Sequence, residues 1–329
     1  MQHYLYKLNF TTPLHCGIDE GRGLADSRFT VHSDTIFSAL CIQALHKGGE
    51  NLLERLVYTF KNDKALLSDA LPYRNENLFL PKPIVLRDIE HTDADPKSRK
   101  IFKKLAYIPV SMLYEFLSES KVFYENKIEV LKLMEDYCFE DRRQCVSINE
   151  GVDPEPYIVG SVIFNDGCGL YIIMSCEEEE TKELFEILLR QLGLSGLGGR
   201  ISTGYGKFEA DDPILLNENL TAEYKELYHL LNNKNADTLI TINTSMPANE
   251  EMEKAISGAA YTLCRRGGFF QPSITGNTYK TLQKRRTVFA FSPGSSFKNK
   301  FFGDVYNLSF GGGHPVYRYL KPMFLGVNT

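Results

Sequence analysis

Residues able to do chemistry concentrate in one segment, Gly193-Leu-Ser-Gly-Leu-Gly-Gly-Arg-Ile-Ser-Thr-Gly-Tyr-Gly-Lys207-Phe208, where six glycines fall within fourteen residues. Glycine tolerates positive φ and lets the backbone approach a partner closely. Successive exposed N–H groups then form a concavity suited to phosphate oxygens. Arg200 and Lys207 add positive charge, and Ser202 and Thr203 add hydroxyls. Tyr205 offers a ring on which a base could stack. No acid occurs between Glu186 and Glu209, so nothing local repels a phosphate. A tight turn with a bulge is the plainer reading, but six glycines with these neighbours exceed what a turn requires.

Two nucleotide-binding readings fail. A dinucleotide fingerprint needs a third glycine where Ile201 or Glu209 stands, and it follows a strand, whereas this loop follows a helical pattern. A P-loop needs Ser or Thr after Gly206-Lys207, where the chain has Phe208.

Two further clusters lie downstream. Arg265-Arg266-Gly267-Gly268-Phe269-Phe270 is followed by Lys280, Lys284, Arg285 and Arg286. Arginine beside glycine and aromatic residues suits backbone contact with base stacking. Gly311-Gly312-Gly313-His314-Pro315-Val316-Tyr317-Arg318-Tyr319 repeats the theme. Each alone fits a solvated loop equally well. Together they give an unequal distribution of charge. The net charge is −5, yet from Lys254 onward there are eleven basic residues and one acid, Asp304. A basic last third on an acidic body points to one local anionic partner, not to a general polyanion binder. An acidic protein partner or a merely solvated face fits the same count.

His15 and His32 flank the first loop beside Asp34, and as a pair they would suit general acid and base chemistry. Nothing in their spacing shows that they meet, and a polar residue is expected next to a helix N-cap in any case. Paired acids such as Asp19-Glu20 and the run Glu177 to Glu180 read as solvated. No HxxxH or carboxylate cluster suggests a metal, so neither metal nor cofactor is expected.

These residues need elements to place them. Residues 4 to 10 alternate like a strand. Ser33 and Asp34 suit a helix start, Ile36, Phe37, Leu40 and Ala44 recur at helical spacing, and Gly48-Gly49 stops the helix. A second helix follows from about Leu52 to Phe60. Residues about 70–156, broken by Pro81, Pro83, Pro96 and Pro109, read as an insertion with an exposed loop and a basic run from Lys97 to Lys104. YIVGSVIF and LYIIMS read as a hairpin around Asn165-Asp166-Gly167. Leu184, Ile187, Leu188 and Leu192 then form a helical stripe before the glycine loop and a short strand near Tyr205 to Glu209.

Strand, helix, insertion, hairpin, helix, loop, strand suits a ferredoxin-like βαββαβ domain over residues 1–212, with Asp211-Asp212-Pro213 opening a linker. Residues 213–329 hold a helix near Ala222 to Leu231 and then strand signals, consistent with a second ferredoxin-like domain. The expected class is α+β, with tandem ferredoxin-like (RRM-like) domains.

Composition is that of an ordinary soluble globular protein. No apolar run nears the roughly 20 residues of a membrane span, and the N-terminus reads as a strand and not a signal peptide. Seven scattered cysteines without a CxxC pair fit a reducing cytoplasm.

The pattern resembles the RAMP superfamily of CRISPR proteins. GLGGRISTGYGKF looks like its glycine-rich signature. Pro13-Leu14-His15, HSDTIFSAL and GGGHPVYRYLKP extend the likeness over nearly the whole chain, in order. Within the superfamily the pattern is most similar to the fourth Csm proteins of type III-A systems. That resemblance implies a subunit without nuclease activity that holds the repeat-derived 5′ handle of the guide RNA. It also implies docking to the large polymerase-like subunit and to the backbone RAMP subunit, the third Csm protein, with target RNA met indirectly. By the same resemblance Gly196, Gly198, Gly199, Arg200, Ser202, Thr203 and Gly204 line the handle, His32, Ser33 and Asp34 reach the same RNA, and the insertion supplies a β-hairpin thumb. Many relatives carry a second basic residue where Ile201 stands here. Two other readings stay open at this point: a metal-independent guide-processing endonuclease using His15 or His32, and an RRM-like scaffold without a CRISPR role.

Overall fold

The computed structural model describes residues 1–18, 23–85, 105–118, 132–147, 153–270, 283–309 and 314–328. The basic run from Lys97 to Lys104, Lys280 and Gly312 lie outside them.

An eight-stranded antiparallel sheet organises the N-terminal half. Strand β1 (Gln2–Phe10) pairs on one side with β8 (Cys168–Cys176), and on the other with β9 (Phe208–Ala210) and β10 (Ile214–Leu215). Strand β8 continues to β2 (Ala65–Leu67) and β3 (Leu71–Arg74), and β4 (Asn77–Pro81) and β5 (Tyr107–Pro109) complete the edge. Helix α1 (Ser33–Lys61) follows β1 and helix α3 (Glu179–Ser195) follows β8, with the short α2 (Leu113–Leu117) beyond β5. In spatial order the last ferredoxin strand lies beside the first, the first beside the third and the third beside the second, as the fold requires.

The expected hairpin needs correction. Strand β7 (Glu155–Phe164) does not pair with β8. It pairs over ten residues with β6 (Cys138–Ser147) in a separate two-stranded ribbon. The second ferredoxin strand is instead β2–β3, so Leu71–Pro81, read from sequence within the insertion, runs on into the main sheet. The reason lies in side-chain burial. Every residue of β8 is buried, which suits a strand covered on both faces, whereas Glu155, Pro156 and Ile158 of β7 are exposed.

Both faces of the sheet are covered. Tyr4, Tyr6, Leu8, Leu170, Ile172 and Met174 face α1 and α3. Leu5, Tyr171 and Ile173 face the other way, toward α4 (Ala222–Asn232) and toward β11 (Thr238–Thr241) and β19 (Phe324–Val327) of the C-terminal half. Burying each such side chain stabilises by about 1.5–3 kcal/mol, so the two halves share their second core. Gly48 and Gly49 leave helical conformation inside α1, a kink where the sequence reading placed a stop. In α3, Phe185, Leu188, Leu189 and Leu192 point inward, whereas Ile187, expected in the stripe, is exposed.

The C-terminal half adds α5 (Met252–Ile256) and the pairs β12 (Leu263–Arg266) with β15 (Val288–Phe291), β13 (Phe269–Phe270) with β14 (Gln283–Lys284), and β17 (Val305–Asn307) with β18 (Tyr317–Tyr319). Strand β16 (Ser296–Phe297) joins β11 and β19. Tyr319 reaches back to α1, with its ring 5.5 Å from Phe37 and 5.7 Å from Phe60. Among the described residues no helix is long and apolar enough to cross a membrane.

Candidate nucleic-acid interface

The glycine loop leaves the end of α3 and folds back over the loop that follows β1. Gly199 N–H donates to the His15 carbonyl at 2.8 Å, Gly206 N–H to the Pro13 carbonyl at 2.8 Å, and Lys207 N–H to Thr12 Oγ1 at 2.9 Å. Leu197 N–H closes the loop on the Gly206 carbonyl at 2.9 Å. These contacts explain most of the glycines. A Cβ at Gly206 would stand 2.0 Å from the Leu197 oxygen, and one at Gly196 would stand 2.4 Å from the Tyr205 oxygen. At Gly198 it would meet the His15 oxygen at 2.5 Å. Gly204 differs: its φ is +88° and a Cβ there would meet nothing within 4 Å.

The outer surface of the loop is therefore narrower than its sequence suggests. Ser202, Thr203 and Lys207 are exposed, and Gly198, Gly199, Arg200, Ile201 and Gly204 are half-buried. Gly196 and Tyr205 are buried, so Tyr205 presents no free ring for stacking, and its packing holds the loop closed. Arg200 sits at φ +61°, in the left-handed region a non-glycine residue rarely adopts. Its guanidinium lies 5.5 Å from the Tyr157 ring centroid, and Nη2 donates to the Tyr157 hydroxyl at 3.0 Å. Tyr157 belongs to the β6–β7 ribbon and sequence reasoning missed it, because nothing in the local pattern ties a strand residue to a loop forty residues on.

The helix-start motif turns inward, which corrects its expected role at an RNA surface. His32, Ser33 and Asp34 are buried. His32 is the N-cap without a side-chain cap bond, and Asp69 does the capping: its Oδ1 accepts the Ser33 N–H at 2.7 Å. Asp69 Oδ2 lies 2.6 Å from His32 Nδ1, and Thr244 Oγ1 lies 2.7 Å from the same nitrogen. The break between β2 and β3 aims Asp69 inward, so one carboxylate joins the helix start to the C-terminal half. Arg28 Nη1 contacts the other ring nitrogen of His32.

Asp34 gathers the arginines. Arg318 Nη1 donates to Oδ2 at 2.6 Å and Arg266 Nη2 to Oδ1 at 2.8 Å. Burial by itself would raise the Asp34 carboxyl, but Arg266 and Arg318 outweigh it and hold the group well below the usual carboxylate range. Arg266 is thus a buried structural cation and not a surface contact, while Arg265 and Arg286 are exposed. Arg285, Tyr317 and His314 are half-buried, and Lys284 is placed in β14. The His15 ring is buried and its Nδ1 donates to the Gly160 carbonyl at 2.6 Å.

A ferredoxin-like sheet, a glycine loop folded over the β1 loop, and a C-terminal half sharing the sheet's second core together define a RAMP protein. Residues 7–209 match the family model of the RAMP superfamily, and residues 234–327 match that of the CRISPR Csm4 C-terminal domain. The chain belongs to the Csm4 family. It is 32% identical over 309 residues to the Csm4 of Mycobacterium tuberculosis, covering 93% of this chain and 92% of that protein. It is 28% identical to the Csm4 of Streptococcus thermophilus, covering 98% and 99%. Among solved structures it superposes on a chain of a Csm3–Csm4 subcomplex of the type III-A interference complex with TM-score 0.67 at 20% identity, covering 100% of both. A chain of a Csm1–Csm4 cassette gives TM-score 0.58 at 18% identity, covering 100% and 98%.

Proposed function

We propose that this chain is the non-catalytic subunit that holds the repeat-derived 5′ handle of the guide RNA in a type III-A Csm complex. One observation carries the reading. The glycine loop presents Ser202, Thr203, Lys207 and an unobstructed Gly204 from a segment without an acid between Glu186 and Glu209, braced from behind by His15 and Pro13. Hydroxyls, backbone and a cation suit a phosphodiester backbone. Base pairing reads the target in guide-directed systems, so target RNA is met only through the guide.

The solved assemblies this chain resembles combine Csm3 with Csm4 and Csm1 with Csm4. On that likeness the chain docks the backbone RAMP subunit and the large polymerase-like subunit, and acts in the cytoplasm. The β6–β7 ribbon, exposed along most of β6 and at the start of β7, is the candidate for the thumb. The division into residues 1–212 and 213–329 follows the same reading, with β10 and α4 clasping the sheet from the second unit. Burial of both imidazoles, with His15 Nδ1 and His32 Nδ1 already bonded, favours this function over an endonuclease using those histidines.

The test is to tag the chain, express it with its neighbouring genes and a CRISPR array, and sequence the RNA that co-purifies. Spacer RNAs sharing one repeat-derived 5′ end are the expected result. Random or absent RNA from an intact assembly overturns it.

A further inference from the structure

Three guanidinium groups, Arg266, Arg285 and Arg318, surround the single carboxylate of Asp34 at the start of α1, and Asp34 is consumed by two of them. We infer that this cluster is a second, deeper phosphate site, taking one backbone phosphate of the bound RNA through Arg285. The inference rests on the RNA-binding reading above and extends it to a different place in the fold.

Arg285 donates from Nη1 to Ser38 Oγ at 2.9 Å, a neutral partner, and its Nε is buried without a partner. Burial first, and then repulsion from Arg318, lower its affinity for its own proton to a pKa of about 10, and Asp34 offsets this only in part. A buried cation lacking a counter-charge is costly. Acids are scarce in this part of the chain: beyond Lys254 the only one is Asp304, whose Oδ2 lies 3.8 Å from Lys61 Nζ. An anion from outside resolves the imbalance, and a phosphate oxygen accepts charge-assisted hydrogen bonds from a guanidinium well.

Position favours RNA as the source of that anion. Arg285, Ser38, Cys41 and Tyr317 are only half-buried, so the cluster has a mouth, and Tyr317 places a ring beside it. The base of the glycine loop hangs on the same helix: Ser195 Oγ donates to Gln43 Oε1 at 3.4 Å. Ser38 and Gln43 are about 7.5 Å apart along the axis and roughly 140° apart around it, so a strand running from the loop to this second anchor passes partway around α1.

The test compares Arg285→Gln with wild type in two measurements on the full chain, with Gly204→Asp as the loop control. A repeat-derived RNA is titrated across a salt series, and melting is followed in chloride and in inorganic phosphate at matched ionic strength. We expect Arg285→Gln to bind RNA about tenfold more weakly, with a salt slope smaller by about one. Its Tm in chloride should be unchanged or higher, because an uncompensated cation has been removed. A lower Tm with unchanged RNA affinity would make Arg285 purely structural and overturn the site. Phosphate stabilisation of wild type that Arg285→Gln abolishes, with RNA affinity unchanged, would make it a free-anion site and overturn the RNA assignment. If Gly204→Asp weakens RNA binding and Arg285→Gln does not, this inference fails alone; if neither does, the RNA-binding reading fails with it.

Discussion

Gly199 is seated on His15: its amide donates to the His15 carbonyl at 2.8 Å, and a Cβ on Gly199 would lie 2.8 Å from the imidazole Cδ2. The glycine loop is therefore built against the protein before it is offered to a ligand, and its glycines divide by which side they serve.

That division predicts graded stabilities. Gly206→Ala places a Cβ 2.0 Å from the Leu197 oxygen at a φ of +73°, so overpacking and left-handed strain together should cost about 3 kcal/mol or more. Gly204→Ala carries only the left-handed penalty, about 1 kcal/mol. Urea unfolding of both variants checks the order. Equal losses would mean that the loop does not pack on its own backbone as described.

Arg200 combines a strained backbone with a useful side chain. Replacing it with glycine removes the Tyr157 contacts, worth about 1 kcal/mol at a partly exposed site, and relieves a left-handed φ of +61° at about 1–2 kcal/mol. Arg200→Gly should thus keep wild-type stability within about 1 kcal/mol while weakening RNA binding. Arg200→Ala keeps the strain and should be the less stable of the two. Paired denaturation and RNA titration separate the effects.

Much of this architecture is legible in the sequence, and the misses share a cause. The α1 and α3 patterns, the break at Gly48-Gly49 and the glycine loop announce themselves through local spacing. Strand β7 reads as the partner of β8 because Asn165-Asp166-Gly167 reports a turn and not which strands it joins. Asp34, Arg266 and Tyr205 read as surface residues because polarity is the only local signal. Asp34 owes its burial to Arg266 and Arg318, which lie 232 and 284 positions further along the chain. Asp69 belongs to no motif and escapes a sequence reading entirely.

Asp34→Asn should be among the most damaging single changes. It leaves Arg266 and Arg318 buried against a neutral amide, and breaking a buried pair in this way costs about 3–5 kcal/mol. The pH dependence has a defined sign. A carboxyl held below its unfolded value of about 3.9 contributes fully above that pH and is lost as pH falls through the lower, folded value. Wild type should therefore lose stability steeply below about pH 4, and Asp34→Asn should flatten that limb. Circular dichroism across an acid titration tests both. An identical acid limb in the two proteins would detach Asp34 from the cluster's stability.

Two groups on the far side of the sheet should oppose one another at mildly acidic pH. Burial, and then the N-terminal ammonium, lower His3 to about 4, with Asn232 opposing, and its Nδ1 lies 2.6 Å from Ser175 Oγ. Between about 4 and 6.5 the unfolded chain binds the proton that folded His3 refuses, so this contribution makes stability rise with pH. Glu226 behaves in the opposite way: burial first, then Glu223 and Glu115, raise it to about 7. Between about 4.5 and 7 the folded chain holds the proton that the unfolded chain releases, so stability falls as pH rises. In wild type the two slopes largely cancel. His3→Gln should expose the falling slope and Glu226→Gln the rising one, measured as urea midpoints from about pH 4 to about 7.5. Parallel curves for all three proteins would show that neither group is held in the environment described here. Slopes of opposite sign would place His3 and Glu226 each in the buried environment described here.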